Sequence, residues 1–198
     1  MSPSETDEPL KTLHSILQQN RKVLSLLPEA CGEQYRQITD AFIAALKNGN
    51  KVLFCGNGGS AADAQHVAAE LVGRFQKHRL PLPALALTTD TSLITSISND
   101  YGYNHVFARQ VEALALPGDI VAGISTSGNS DSILMAMHSA KARNALAIGF
   151  TGKSGGKLQQ SCDICLCVPS TVTARIQEAH ILIWHALCEE IEEYLFPG

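Results

Sequence analysis

Five short apolar runs recur along the chain with helical stretches between them: KVLFC from Lys51, PALALT from Pro83, DIVAGIS from Asp119, ALAIGFT from Ala145 and DICLCV from Asp163. Each run is apolar almost throughout rather than alternating, so each reads as a strand buried on both faces. The intervening segments, at about 61–74, 90–98, 106–115, 130–143 and a short piece near Leu158, are long enough for crossover helices, and a last helix runs from about Thr173 to Leu195. The pattern predicts one α/β domain, a doubly wound five-stranded parallel sheet of flavodoxin-like or Rossmann-like type. In such sheets ligands bind beyond the carboxyl ends of the strands, which directs attention to the loops after Cys55 and Ile124.

Two amphipathic helices are expected ahead of the first strand. Leu10, Leu13, Ile16, Leu17, Val23, Leu24 and Leu27 fall at helical spacing up to Pro28, and a second segment runs from about Glu33 to Lys47, closed by Asn48-Gly49-Asn50. The division is therefore an N-terminal helical hairpin over 1–48, read as a subunit interface, and a core over 49–198, together one structural domain. With 198 residues a continuous core needs no staples. A net charge of -4 with scattered Lys and Arg disfavours nucleic acid as a direct partner. The acidic opening MSPSETDEPL and the lack of an 18-residue apolar run point to a cytoplasmic protein and away from a membrane.

Cys162 and Cys165 form a CxxC, the spacing of a redox pair or half a zinc site, but no second CxxC accompanies it. DICLCV reads as a buried strand with Cys165 and Cys167 on one face, so packed free thiols are expected.

The first candidate loop, Gly56-Asn57-Gly58-Gly59-Ser60, joins a strand to a helix. Glycine lets backbone approach a ligand, Ser60 reads as an N-cap, and free N–H groups at a helix start favour an anion. The second, Ser125-Thr126-Ser127-Gly128-Asn129-Ser130, holds four hydroxyls in six residues, more than a turn needs. Hydroxyl and N–H donors there suit a phosphate without many cations. Neither loop matches GxxxxGK[ST] or GxGxxG, which argues against nucleotide hydrolysis and dinucleotide binding.

His66 and Glu70, four apart, share one face of the helix after the first loop. Such a pair can ligate a divalent metal, the carboxylate can act as a base, or the two can simply pair on a polar helix face. The last helix carries Gln177, His180 and His185. Gln177 and His185 are eight apart, about 12 Å along the axis, so spacing does not settle which of these residues could join one metal.

Together, FCGNGGSAADAQHVAAELVGRF, SNDYGYNHVF, GISTSGNS, TGKSGGKL and ARIQEAHILIWH resemble the bacterial phosphoheptose isomerases, a branch of the sugar isomerase (SIS) domain proteins, over about residues 35–195. The resemblance implies a homotetramer with active sites between subunits. It also implies conversion of sedoheptulose 7-phosphate to D-glycero-D-manno-heptose 7-phosphate through an enediol, for lipopolysaccharide core or related heptose synthesis. It assigns Asn57, Gly58, Gly59, Ser60, Glu70, Asn99, Asp100, Ser125, Thr126, Ser127, Ser130 and Gln177 to substrate contact. Zinc is assigned to His66, Glu70, Gln177 and His185, and acid/base chemistry to Glu70 and His185, which selects His185 over His180. Ala69 and Ala174 depart from the Glu and Asp that some members carry there. A second SIS branch, non-enzymatic proteins that associate with the bacterial replication initiator, is resembled by EEYLFPG and GSAADAQH, but usually lacks the matches to Glu70 and His185. A sugar-phosphate-sensing regulator is a third possibility, without an appended DNA-binding segment here.

Overall fold

The computed structural model describes residues 8–197, so most of the acidic opening segment lies outside it. The chain begins with α1 (Glu8–Lys47) and continues β1 (Val52–Gly56), α2 (Gly59–Val72), β2 (Ala84–Ala86), α3 (Thr91–Tyr101), a 3₁₀ turn (Tyr103–His105) and α4 (Ala108–Leu114). Then come β3 (Ile120–Ile124), α5 (Asp131–Ala142), β4 (Leu146–Gly152), α6 (Leu158–Ser161), β5 (Ile164–Val168) and α7 (Thr173–Leu195). The five strands pair in parallel in the order β2-β1-β3-β4-β5. The sheet read from the apolar runs is thus the sheet formed.

Alternate strand residues feed two cores. Val52, Phe54, Ile120 and Ile148 pack with α1, α2 and α7 on one face, while Leu53, Cys55, Val121 and Ala147 pack with α3 to α6 on the other. Trp184 of α7 anchors the first core, 4.0 Å from Phe150 and 5.5 Å from Phe54 between ring centroids. Burying a side chain of this size contributes about 2–3 kcal/mol.

The expected N-terminal hairpin is instead one 40-residue helix with Pro28 inside it. Proline removes one N–H and costs about 3 kcal/mol in a helix interior. The same stripe runs through it: Val23, Leu27, Cys31, Ile38, Phe42, Ala45 and Leu46 are all buried against the sheet core. At about 2 kcal/mol for each large side chain, that burial outweighs the proline. The helix stops where the turn signal stands, with Gly49 at φ +78° and the Asn50 N–H bonded to the Ala45 carbonyl.

On α7, Ile183, Trp184, Leu187 and Ile191 are buried within the same chain against α1 and the sheet, so these positions leave no surplus for a neighbour. Exposed apolar surface is found instead at Leu10, Leu13 and Leu17 of α1 and at Leu182. Among the described residues no helix is long and apolar enough to cross a membrane.

Candidate active site

The strand order reverses between β1 and β3, whose register pairs Gly56 with Ile124 and so brings the two following loops side by side. Asn57 joins them: its side-chain amide donates to Ser132 Oγ at 3.0 Å, and its carbonyl oxygen accepts from the Tyr103 hydroxyl at 2.7 Å. Tyr103 comes from the SNDYGYNHVF segment, in which Asn99 donates to Asp100 at 2.8 Å on the exposed end of α3. Gly58, at φ +56°, is the residue before α2, and Ser60 lies inside the helix and is buried. Ser60 is therefore not the N-cap; glycine takes that place because the backbone turns through a left-handed conformation there.

In the second loop Ser125 and Ser130 place their hydroxyl oxygens 3.1 Å apart, and Ser130 stands at the N-cap position of α5 without a side-chain cap bond. The loop is braced by the TGKSGGKL segment. Gly152 N–H donates to the Thr126 carbonyl, Leu158 N–H to that of Gly128, and Lys157 N–H to Asn129 Oδ1. Gly128 has φ +67°, and a Cβ there would stand 2.1 Å from the Gly155 carbonyl oxygen. Beside the loop is a cavity of about 270 Å³ lined by Thr126, Ser127, Asn129, Lys153, Ser170 and Thr173.

Helices α2 and α7 run side by side in the same direction. At their starts, the Gln177 amide lies against Gly59, so closely that a Cβ on Gly59 would be 2.5 Å from Gln177 Nε2. Two turns on, His66 Nε2 stands 3.0 Å from His185 Nε2 and 3.3 Å from Glu70 Oε1. One ligand atom from each of His66, Glu70 and His185 lies within 4.8 Å of the others. Phe75 stacks on His185, 5.4 Å between centroids with the rings 27° apart.

The donor set fits a divalent ion. Two imidazole nitrogens bound to one metal at about 2.0–2.1 Å stand roughly 2.9–3.3 Å apart for bond angles from a right angle to the tetrahedral value. The facing nitrogens of His66 and His185 meet that condition, and Glu70 supplies a carboxylate. The Gln177 amide lies at the start of the same helix as His185, against Gly59 of the first loop.

The structure separates the two histidines of α7. His180 is fully buried, 6.1 Å edge-on to Phe150, with Nε2 3.3 Å from the Thr151 carbonyl. Burial holds its pKa down at about 4, against the smaller opposite pull of the Thr151 carbonyl. Asp63, three residues before His66, has its carboxyl raised above the ordinary range by burial, with His66 acting the other way. The cysteines are free, Cys165 and Cys167 lie on one face with sulfurs 4.0 Å apart, and burial pushes the Cys55 thiol up to about 12. The Cys165 thiol is likewise pushed up to about 12, first by its hydrogen bond with Cys162. Thiols so disfavoured as thiolates behave as packing groups.

One chain supplies His66, Glu70 and His185, so this cluster does not need a second subunit to bring Glu70 and His185 together. Tyr103, Ser132, Lys153 and Phe75 were not singled out from sequence; each lies in or beside a quoted motif, but its role depends on contacts between distant segments.

Comparison with known proteins then fixes the family. Residues 17–152 match the SIS domain. The chain is 59% identical over 159 residues to a phosphoheptose isomerase of a Roseiflexus species, covering 80% of this chain and 81% of that protein. It is 50% identical over 184 residues to the phosphoheptose isomerase of Aquifex aeolicus, covering 93% and 96%. This chain belongs to the phosphoheptose isomerase family of SIS domain proteins. The solved phosphoheptose isomerase of Neisseria gonorrhoeae superposes with a TM-score of 0.88 at 43% identity, covering 93% of this chain and 98% of that one. In phosphoheptose isomerase terms, the SIS match covers both loops and α2 and ends with β4, while α7, which carries His185, lies beyond it.

Proposed function

We propose that this protein converts sedoheptulose 7-phosphate to D-glycero-D-manno-heptose 7-phosphate, supplying heptose for lipopolysaccharide core or a related glycan in the cytoplasm. The observation that carries the reading is the meeting of Glu70 and His185, from two parallel helices, beyond a glycine-rich and a hydroxyl-rich loop side by side at the sheet's switch point.

The chemistry follows from that placement. Ser60, Ser125, Thr126, Ser127 and Ser130 hold the phosphate with hydroxyl and N–H donors at helix starts. Asn57, Gly58, Gly59, Asn99, Asp100 and Gln177 bind the sugar chain, Gln177 from its position against Gly59. The carbon end of the substrate reaches Glu70. Glu70 takes a proton from C1, the C1–C2 double bond of an enediol forms as the carbonyl electrons move to O2, and the proton returns to C2. His185 carries the hydroxyl proton from O1 to O2, so that C1 becomes the aldehyde and no atom is gained or lost. His66, Glu70 and His185 would hold a zinc ion, with Gln177 as a further ligand. When bound, the ion supplies Lewis-acid polarisation of the sugar's carbonyl oxygen.

Assembly as a homotetramer is part of the same proposal. Exposed Leu10, Leu13 and Leu17 repeat at helical spacing, and a groove of about 540 Å³ between α1 and α7 is lined by Leu27, Tyr35, Leu166 and Leu182. Both features support 1–48 as the subunit interface. The test of the function is a coupled assay: purified protein should form the heptose 7-phosphate from sedoheptulose 7-phosphate, and no product at any metal loading would refute it.

A further inference from the structure

Beyond the reacting groups, a buried ion pair ties the far ends of the two site helices together. Glu192, seven residues after His185 on α7, is 1% exposed. Its Oε1 accepts from the Phe75 N–H at 2.8 Å and from Arg79 Nε at 2.7 Å. Its Oε2 accepts from the Gln76 and Lys77 N–H groups at 2.8 and 2.9 Å. The Arg79 side chain is also buried, and its other N–H groups bond the end of α2 and the loop that follows. Nη2 donates to the Glu70 carbonyl at 2.8 Å, while Nη1 donates to those of Leu71 and Leu80 at 2.9 and 3.0 Å.

Each arm of this clamp ends on a site residue. Arg79 holds the backbone of Glu70 at the last turn of α2, where helix carbonyls lack intrahelical partners. Glu192 holds the backbone of Phe75, whose ring lies on His185. A guanidinium suits the task because it presents five N–H donors in a rigid planar fork, whereas an ammonium offers three from a single atom. The phosphate loops are at the opposite end of both helices, so the clamp acts at the carbon end of the substrate and not at its anchor.

We propose that Arg79 and Glu192, with Phe75 between Glu192 and His185, are positioning residues for isomerisation, fixing Glu70 against His185 without touching substrate. The inference rests on the isomerase reading of Glu70 and His185. Its signature is a split between turnover and binding, because misplacing a base by about 1 Å costs on the order of 100-fold in rate while the phosphate contacts persist.

The experiment measures kcat and KM for sedoheptulose 7-phosphate, with thermal melting, for Arg79→Lys, Phe75→Leu and Glu70→Gln beside the wild type. Arg79→Lys keeps the charge facing Glu192 but loses the fork; Phe75→Leu keeps the N–H bound by Glu192 but loses the ring on His185. Both should lower kcat about 10- to 100-fold with KM within about 3-fold. If Arg79→Lys fails to fold, Phe75→Leu decides. Wild-type kcat in the folded variants, or a fall in activity that only tracks the folded fraction or a rise in KM, overturns the positioning role. An active Glu70→Gln would instead overturn the isomerase reading of Glu70. Loss in Glu70→Gln with full activity in the other two overturns this inference alone.

Discussion

His66 and His185, 119 residues apart in sequence, face each other Nε2 to Nε2 at 3.0 Å across helices α2 and α7. Two imidazole nitrogens this close must share a proton or a cation, and the Glu70 carboxylate 3.3 Å from His66 favours a cation. Chelation should abolish turnover, and add-back of zinc or another divalent ion should restore it. His66→Ala should weaken metal binding at least about 100-fold by calorimetry, since one of three clustered ligands is removed. Full turnover in a verified metal-free preparation would contradict this.

Because one chain supplies Glu70 and His185, complementary mutants should not rescue one another. Glu70→Gln protein mixed with His185→Ala protein under subunit exchange should remain as inactive as either parent, since every cluster then lacks one member. Recovery of a substantial fraction of wild-type activity after verified subunit exchange would mean that the two groups meet across an interface.

The buried histidine gives a stability signature separate from catalysis. The His180 pKa falls from 6.5 to about 4 on folding, so the neutral form is the one that folds. For a depressed pKa the stability is complete above the unfolded value and is lost as pH drops through the folded one. Denaturant unfolding should therefore show a loss on the order of 3 kcal/mol from this group between pH 6.5 and about 4. His180→Leu should flatten that interval and leave kcat at neutral pH within about 3-fold, because the residue touches Phe150 and Thr151 and not the trio.

At Gly128 the backbone has φ +67°, and an added Cβ would meet the Gly155 carbonyl oxygen at 2.1 Å. Neither the conformation nor the fixed carbonyl can give way cheaply. Gly128→Ala should cost about 2–3 kcal/mol of stability and raise KM for the sugar phosphate about 10-fold or more, with the folded enzyme's kcat less affected. An unchanged KM would show that the serine loop does not anchor the phosphate.

The sheet was legible because strands buried on both faces leave continuous apolar runs, and the second loop stood out because four hydroxyls in six residues exceed what a turn requires. The single helix through Pro28 was not: a local breaker signal lost to a buried stripe, from Val23 to Leu46, that exists only once the sheet is present. His66 and Glu70 were readable as a pair on one helix, but their meeting with His185 depends on two helices packing in parallel, which no local spacing encodes. Gln177 illustrates the same limit, since eight residues from His185 places it against Gly59 and the first loop. Arg79 and Glu192 resemble any surface charges in sequence, and only their burial and shared partners reveal the clamp.

Isomerisation as proposed requires Glu70 to move the carbon-bound proton. The most direct measurement is the turnover of Glu70→Gln with saturating metal, alongside its affinity for sedoheptulose 7-phosphate and solvent-deuterium incorporation at the reacting carbons. The expected result is a fall in kcat of about 10²–10⁴-fold, affinity within a few-fold of wild type, and deuterium exchange lost with turnover. Turnover and exchange at wild-type rates in that variant would contradict it.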